Sequence, residues 1–560
     1  MKLETIKRVI QSVSRNRLLF FLASLHLLIR AVLITQRPER LPLSEFPNRA
    51  IYLNALNNHF ASYILNTSLL PPLNYVLDAI PVWILGPTAA HALDANLWML
   101  AILNGLAVIM LYRACLHCNC NRYIAFTTGI LYTLALIPFE FWRNGTHYDQ
   151  LTIFFASFFA YSLIRHLNNA DNRNGWLPAI AGALLILQSS VNTCIVPFVI
   201  ILATVADVLP WHNWKKFLRS LGLSLSLPLV AILLLTTKNY ANARILSPST
   251  KGGPALMMVV TAVFRDTLNE PRAEMRKFVH NCNPPQWYLH AFNNPVPPPL
   301  EDPVSRTIWD DLAPAFCFCM PWGTREAGTY PFVFQPLHNY LAGNNYHKIA
   351  KIVSRDMADV RHRPYLFAGS SPELSPRWIG IYGKESSMIA LKLFLSKPWA
   401  YLSQASRLHY KYAYESPSFL ETITWRFKQG DRNRFLPFSG FHQAVARIYS
   451  KLARTSYRAC FYAAPVMFLL IILSCQLRNE LDGLACFLRT TGNSFLLLFA
   501  VILLNAGVFS FAVGGENDRY FMQSTPYLLI TVNLTVTAII QMFTFLKQNR
   551  SKYPDHHSRT

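Results

Sequence analysis

Charged residues are scarce in this sequence, at 14% of the total against 52% hydrophobic residues, and acids are scarcer than bases, 29 against 52. So few charges cannot cover the surface of a water-soluble chain of 560 residues, so a bilayer is the expected solvent. Ten cysteines in this length exclude a disulfide scaffold, although Cys282, Cys317 and Cys319 fall in a segment where one pair is compatible with an oxidising compartment. Cys115, Cys118 and Cys120 surround His117 at metal-like spacing, but the second half of a zinc site is missing. No internal repeat is found. A transporter built from repeated halves would carry one.

The net charge of +23 fits a nucleic-acid partner only if the bases share one soluble face. They flank apolar runs instead, which argues against nucleic acid. A spanning helix needs about 20 mostly apolar residues. Such runs centre on residues 17–35, 92–112, 123–139, 150–166, 176–190, 193–209, 219–236, 459–475, 494–512 and 523–545. The expected fold is therefore an all-α polytopic membrane protein of about ten transmembrane helices, with a large mixed or mainly helical exterior insert. No small-residue cleavage site follows the first run, so it reads as a retained anchor. With the amino terminus cytoplasmic, the inside segments hold eighteen Lys and Arg and the short outside segments five, as positive-inside retention requires. The fifth and sixth runs meet at a polar turn around Ser189, Ser190 and Asn192, and reading them as one broken helix would invert everything after it.

The expected domains are a membrane unit over 1–236, an exterior insert over 237–457 and a second membrane unit with a cytoplasmic tail over 458–560. Within the insert, Pro295, Pro297, Pro298 and Pro299 make an extended connector. Residues 396–412 place Tyr401, Ala405, Leu408 and Tyr412 on one helical face, with Arg407 and Lys411 turned away, suited either to the membrane surface or to packing on protein. The insert carries Trp287, Trp309, Trp322, Trp378, Trp399 and Trp425, for which core packing is the commoner use and sugar stacking the other.

This topology gathers ionisable residues at the exterior helix ends: Glu45; Glu140, Arg143, His147 and Asp149; Lys238 and Asn239; and Glu516, Asp518, Arg519 and Tyr520. Charges near hydrocarbon are costly unless paired or hydrated, so their convergence from four loops points to a polar cavity. Interfacial solvation is the plainer reading of each alone.

The stretch Pro71-Pro72-Leu73-Asn74-Tyr75-Val76-Leu77 resembles a segment of polytopic glycosyltransferases of the GT-C type, the class of protein O-mannosyltransferases and lipid A aminoarabinose transferases. Asp149-Gln150-Leu151, Lys238-Asn239-Tyr240 and Gly515-Glu516-Asn517-Asp518-Arg519-Tyr520 with Pro526-Tyr527-Leu528 are similar to further elements of that group, in the same order. The resemblance covers about the first 240 residues and the last hundred. It implies a polyprenyl-phosphate sugar as donor substrate, a glycan, lipid or protein acceptor on the exterior face, and a bacterial inner membrane. It also implies an acid in the first outside loop as catalytic base. This sequence departs there, with Asn48 four residues before Tyr52 and Glu45 as the nearest preceding acid. Either Glu45 is the base, or another carboxylate serves, or the chain is a non-catalytic relative.

The resemblance further implies Arg519 and Lys238 as stabilisers of the leaving phosphate, Tyr520 as a donor, and Glu140, Arg143, Asp149, Asn239 and Glu516 as substrate-binding residues. A divalent cation would find oxygen ligands in Glu140 or Asp149 and is not required. A lipid-linked glycan transporter or flippase and a glycan ligase or polymerase are the competing classes, the latter kept open by Arg361-His362-Arg363.

Overall fold

The computed structural model describes residues 17–35, 47–66, 72–87, 89–136, 146–168, 175–208, 214–249, 252–267, 271–294, 330–363, 376–414, 436–476, 482–508, 510 and 523–552. Among them there are helices and no strands. In chain order these are α1 (Arg17–Thr35), α2 (Pro47–Asn58), α3 (Phe60–Asn66), α4 (Pro72–Leu85), α5 (Ala89–His117), α6 (Arg122–Leu136) and α7 (Thr146–Asn168). Next come α8 (Trp176–Gln188), α9 (Asn192–Val208), α10 (Trp214–Ala243), α11 (Gly252–Thr267), α12 (Pro271–Asn281) and α13 (Gln286–Asn293). The remainder are α14 (Tyr330–Gly343), α15 (His347–His362), α16 (Pro376–Ser396), α17 (Pro398–Tyr414), α18 (Leu436–Gln476), α19 (Asp482–Val508) and α20 (Thr525–Lys552).

Each of the ten apolar runs is a helix: α1, α5 to α10, and α18 to α20. Among the described residues five stretches are long and apolar enough to cross a membrane, Ala95–His117, Phe217–Asn242, Arg454–Ile472, Thr490–Val508 and Thr525–Thr544. α6, α8 and α9 are shorter, with 15, 13 and 17 residues. α8 has 13 residues, about 20 Å of helix against a hydrocarbon core of about 30 Å. α7 carries Gln150, Thr152, Ser157, Ser162 and His166, all buried because other helices surround it. Interhelical hydrogen bonds run through this bundle: Tyr132 donates to Asn104 at 2.8 Å, and Asn533 donates to Thr128.

The fifth and sixth runs are two helices, because Ser189 leaves α8 in an extended conformation. They fold back on each other. A side chain at Gly182 would begin 2.7 Å from Val196 of α9, 3.3 Å from Phe159 of α7 and 3.4 Å from Pro228 of α10, so four helices meet where only hydrogen fits. Gly182→Val is expected to destabilise the protein by at least about 1–3 kcal/mol, the usual cost of overpacking, read as a lower unfolding temperature in detergent.

The Cys115–Cys120 cluster ends α5. Asn119 takes a left-handed φ of 58°, the Cys120 amide donates to the Cys115 carbonyl at 3.0 Å and the Asn119 amide to that of Leu116 at 3.0 Å. This is a Schellman cap, in which the first and last residues of the turn make a side-chain contact. Cys115 and Cys120 supply that contact.

A second core joins α11 to α17, centred on Tyr288 stacked against Tyr382 at 4.6 Å and Trp287 edge to face with Trp378 at 5.3 Å. Trp287 and Trp378 are thus core residues, whereas Trp399 is exposed; Trp309, Trp322 and Trp425, like the proline connector, lie outside the described residues. The Tyr401, Ala405 and Leu408 face of α17 is buried on protein: α17 packs on α11 and on α18, where His409 meets the Tyr457 hydroxyl at 3.3 Å. α18 runs unbroken through residue 457.

Arg377 of α16 holds two carboxylates of α15, donating to Asp356 and, at 3.0 Å, to Asp359. Burial raises the Asp356 carboxyl to about 7, with Arg377 opposing. Removing the guanidinium leaves buried acids, so Arg377→Leu is expected to cost about 3–5 kcal/mol at pH 8. A raised carboxyl favours the folded state fully below its ordinary value of 3.8, and that contribution is lost as pH rises through about 7. The Arg377→Leu defect therefore shrinks on acidification to pH 5, as unfolding at the two pH values would show.

Candidate functional site

Alternate helix ends gather at two ends of the bundle. At one, Asn168 of α7 donates to the His117 carbonyl of α5 at 2.9 Å, and Ser224 of α10 to the Gly175 carbonyl at 3.3 Å. The other end collects the start of α5, the start of α7, the α8–α9 turn, and the ends of α1 and α10. Asn96, Gln150, Ser189 and Asn239, all buried, lie at that end.

α4 begins at Pro72, where a helix tolerates proline. Its spacing puts Asn74 and Asp78 on one face, and the Asn74 amide donates to Asp78 Oδ2 at 3.3 Å. The Tyr52 hydroxyl of α2 donates to the same oxygen at 2.6 Å, and the Asn96 amide of α5 to Oδ1 at 2.5 Å. The surround is aromatic. Tyr63 lies 5.0 Å from Tyr75 and 5.9 Å from Tyr52, edge to face, over a small core of Leu53, Leu56, Ala79 and Val82.

Three neutral donors thus serve one carboxylate, and among the described residues no cation faces it. Desolvation raises its pKa from 3.8 to about 6, against the downward pull of Tyr52 and Asn96. The Tyr52 hydroxyl is pushed well above the usual phenol range, first by burial and then by Asp78. Asp78 as a whole keeps partial exposure, while its carboxylate oxygens are held by the three donors.

A second polar group lies where α1 meets α7. Arg30, fully buried within an apolar helix, donates to Gln150 Oε1 at 2.7 Å. One turn earlier His26 meets Thr133 of α6 at 3.0 Å and lies beside Ala101 and Gly105 of α5, which sets Arg30 toward the Asn96 end of that helix. An arginine can only donate, so Gln150 must turn its oxygen to Arg30. Its Nε2 is then a buried donor with no acceptor among the described residues; Asn74 Oδ1 and Ser189 Oγ, at the same end, are also unmatched there.

Of the residues expected from sequence, Asp149 is buried in the first turn of α7, beside Gln150. Asn239 is buried near the end of α10 and donates to the Ser247 carbonyl at 2.9 Å, closing the turn after the helix; Lys238 beside it is partly exposed. Asn242, one turn on, donates to the Leu65 carbonyl of α3 at 2.5 Å, tying this end of α10 to α3, which packs on the helices that carry Tyr52 and Asp78. Glu45, Glu140, Arg143, Glu516, Arg519 and Tyr520 lie outside the described residues.

Asp78, Asn96, Arg30 and Gln150 were not among the expected site residues. The signal for Asp78 and Arg30 was an ionisable side chain inside an apolar helix, where such groups are expensive and commonly functional; Asn96 and Gln150 are neutral amides. Among the described residues no three His, Cys, Asp or Glu side chains gather as a metal site. Family models, curated proteins and solved structures offer no match to this chain.

Proposed function

We propose that the chain is a multi-pass membrane glycosyltransferase that moves a sugar from a polyprenyl-phosphate donor to an acceptor hydroxyl at the exterior face. All ten apolar helices then count as spans or parts of the spanning bundle, with both termini cytoplasmic and residues 237–457 outside. The observation that carries this reading is a desolvated carboxylate, Asp78, at the same end of an apolar bundle as a buried Arg30.

Transfer requires that the acceptor lose a proton as its oxygen bonds to the anomeric carbon. It also requires that the carbon–oxygen bond to the phosphate break with negative charge left on the phosphate. Asp78, ionised above about pH 6, takes the proton. This is the case in which a carboxylate other than Glu45 serves. Gln150 Nε2, oriented by Arg30, donates to a phosphate oxygen, with Lys238 and Arg519 adding positive charge from the resemblance. Glu140, Arg143, Asp149, Asn239, Glu516 and Tyr520 remain the proposed binding residues.

The test is incubation of purified protein in nanodiscs with a panel of polyprenyl-phosphate sugars and hydroxyl acceptors, followed by mass spectrometry of the lipid. Conversion of one donor to free polyprenyl phosphate supports the reading. Donor binding without conversion across the panel identifies a non-catalytic relative.

A further inference from the structure

α16 carries apolar residues on two opposite faces. Trp378, Tyr382, Ile389 and Leu393 are buried in the second core, facing α11. Met388, Leu391 and Leu395, spaced three and four residues apart, form a row on the far side, with Leu395 exposed over 69% of its surface. Trp399, just past the bend at Pro398, is 82% exposed. A helix apolar on both sides needs an apolar partner on each.

The position of α16 identifies the missing one. α11 follows α10 after a short connection, and a side chain at Gly253, in the first turn of α11, would overlap the carbonyl of Gly383. The middle of α16 is therefore held close to the end of α10, which it also contacts. Over Phe217–Asn242 α10 is a membrane-crossing candidate, and Leu229 and Leu233 on it are exposed as lipid-facing residues would be. The outward row of α16 begins just past Gly383, the point that the close approach to Gly253 sets near the end of α10. Lys384, exposed one turn before Met388, adds a cation suited to phosphate head groups, and tryptophan is enriched at this depth.

We infer that the Met388, Leu391, Leu395 and Trp399 face of α16 and α17 lies in the interfacial layer of the bilayer next to α10 and holds the domain built on the second core against the membrane surface. The inference rests on α10 crossing the membrane and is independent of the transferase reading.

The experiment places a bimane label on Leu391→Cys or Leu395→Cys in the full chain, in nanodiscs whose lipids are brominated or not along the acyl chains. Lys348→Cys on α15 is the control, and the unsubstituted chain gives the background from native cysteines. These exposed positions tolerate the change without loss of fold. The expected result is at least about twofold lower emission at 391 and 395 with brominated lipid, and no change at 348. Emission at 391 and 395 as insensitive to bromine as at 348 would overturn the inference. So would shielding from aqueous iodide that appears only with two chains per disc, which identifies a second copy as the occupant.

Discussion

Asp78→Asn is expected to leave the protein folded and inserted while lowering transfer about 10²- to 10⁴-fold, the range for losing a general base. The amide keeps the shape and one acceptor for the Tyr52 and Asn96 donors, and it removes a charge that the site desolvates, so unfolding temperature should not fall with activity. Glu45→Gln is expected to retain most activity. The two variants together decide between the carboxylate expected from sequence and the one found in the fold. Should Glu45→Gln be inactive and Asp78→Asn active, the buried carboxylate is a structural acid of the α2–α4 core and the base returns to the first outside loop.

Arg30→Met is expected to cost about 10²- to 10³-fold in kcat/KM, as losing one preorganised donor at a developing anion does. Arg30 is argued to act through Gln150, whose amide it orients, so it is a positioning residue. Gln150→Leu should therefore cost about as much, and the double variant little more, because two residues that act as a unit are not additive. A merely structural arginine behaves differently. Arg30→Met would then lower the unfolding temperature, leave the rate per folded molecule unchanged, and show no coupling to Gln150.

The ten apolar helices were legible as long apolar runs, and among the described residues five stretches of them are long and apolar enough to cross a membrane. The turn at Ser189 was legible for the same reason: three polar residues interrupt an apolar run. The fold-back there depends on Gly182 meeting Val196, a contact between helices that hydropathy does not encode. The Tyr401, Ala405 and Leu408 face was visible from helical spacing, but not that protein rather than lipid covers it.

The site was less legible. The quoted Pro71–Leu77 stretch stops one residue before Asp78, whose partners Tyr52 and Asn96 lie 26 and 18 residues away on other helices. Arg30 stood inside a run read as an anchor, and its partner is 120 residues distant. Each residue alone is one tolerated polar group in an apolar helix. Only the fold shows that these groups belong to the same end of the bundle.

The claim that a desolvated carboxylate does the chemistry is tested most directly by the pH dependence of kcat/KM for donor conversion. Because burial raises Asp78 to about 6 and the base must be ionised, the account predicts a rate that climbs tenfold per pH unit below about 6 and levels above it. An acid limb near 4, the ordinary range of a solvated carboxylate, would contradict it.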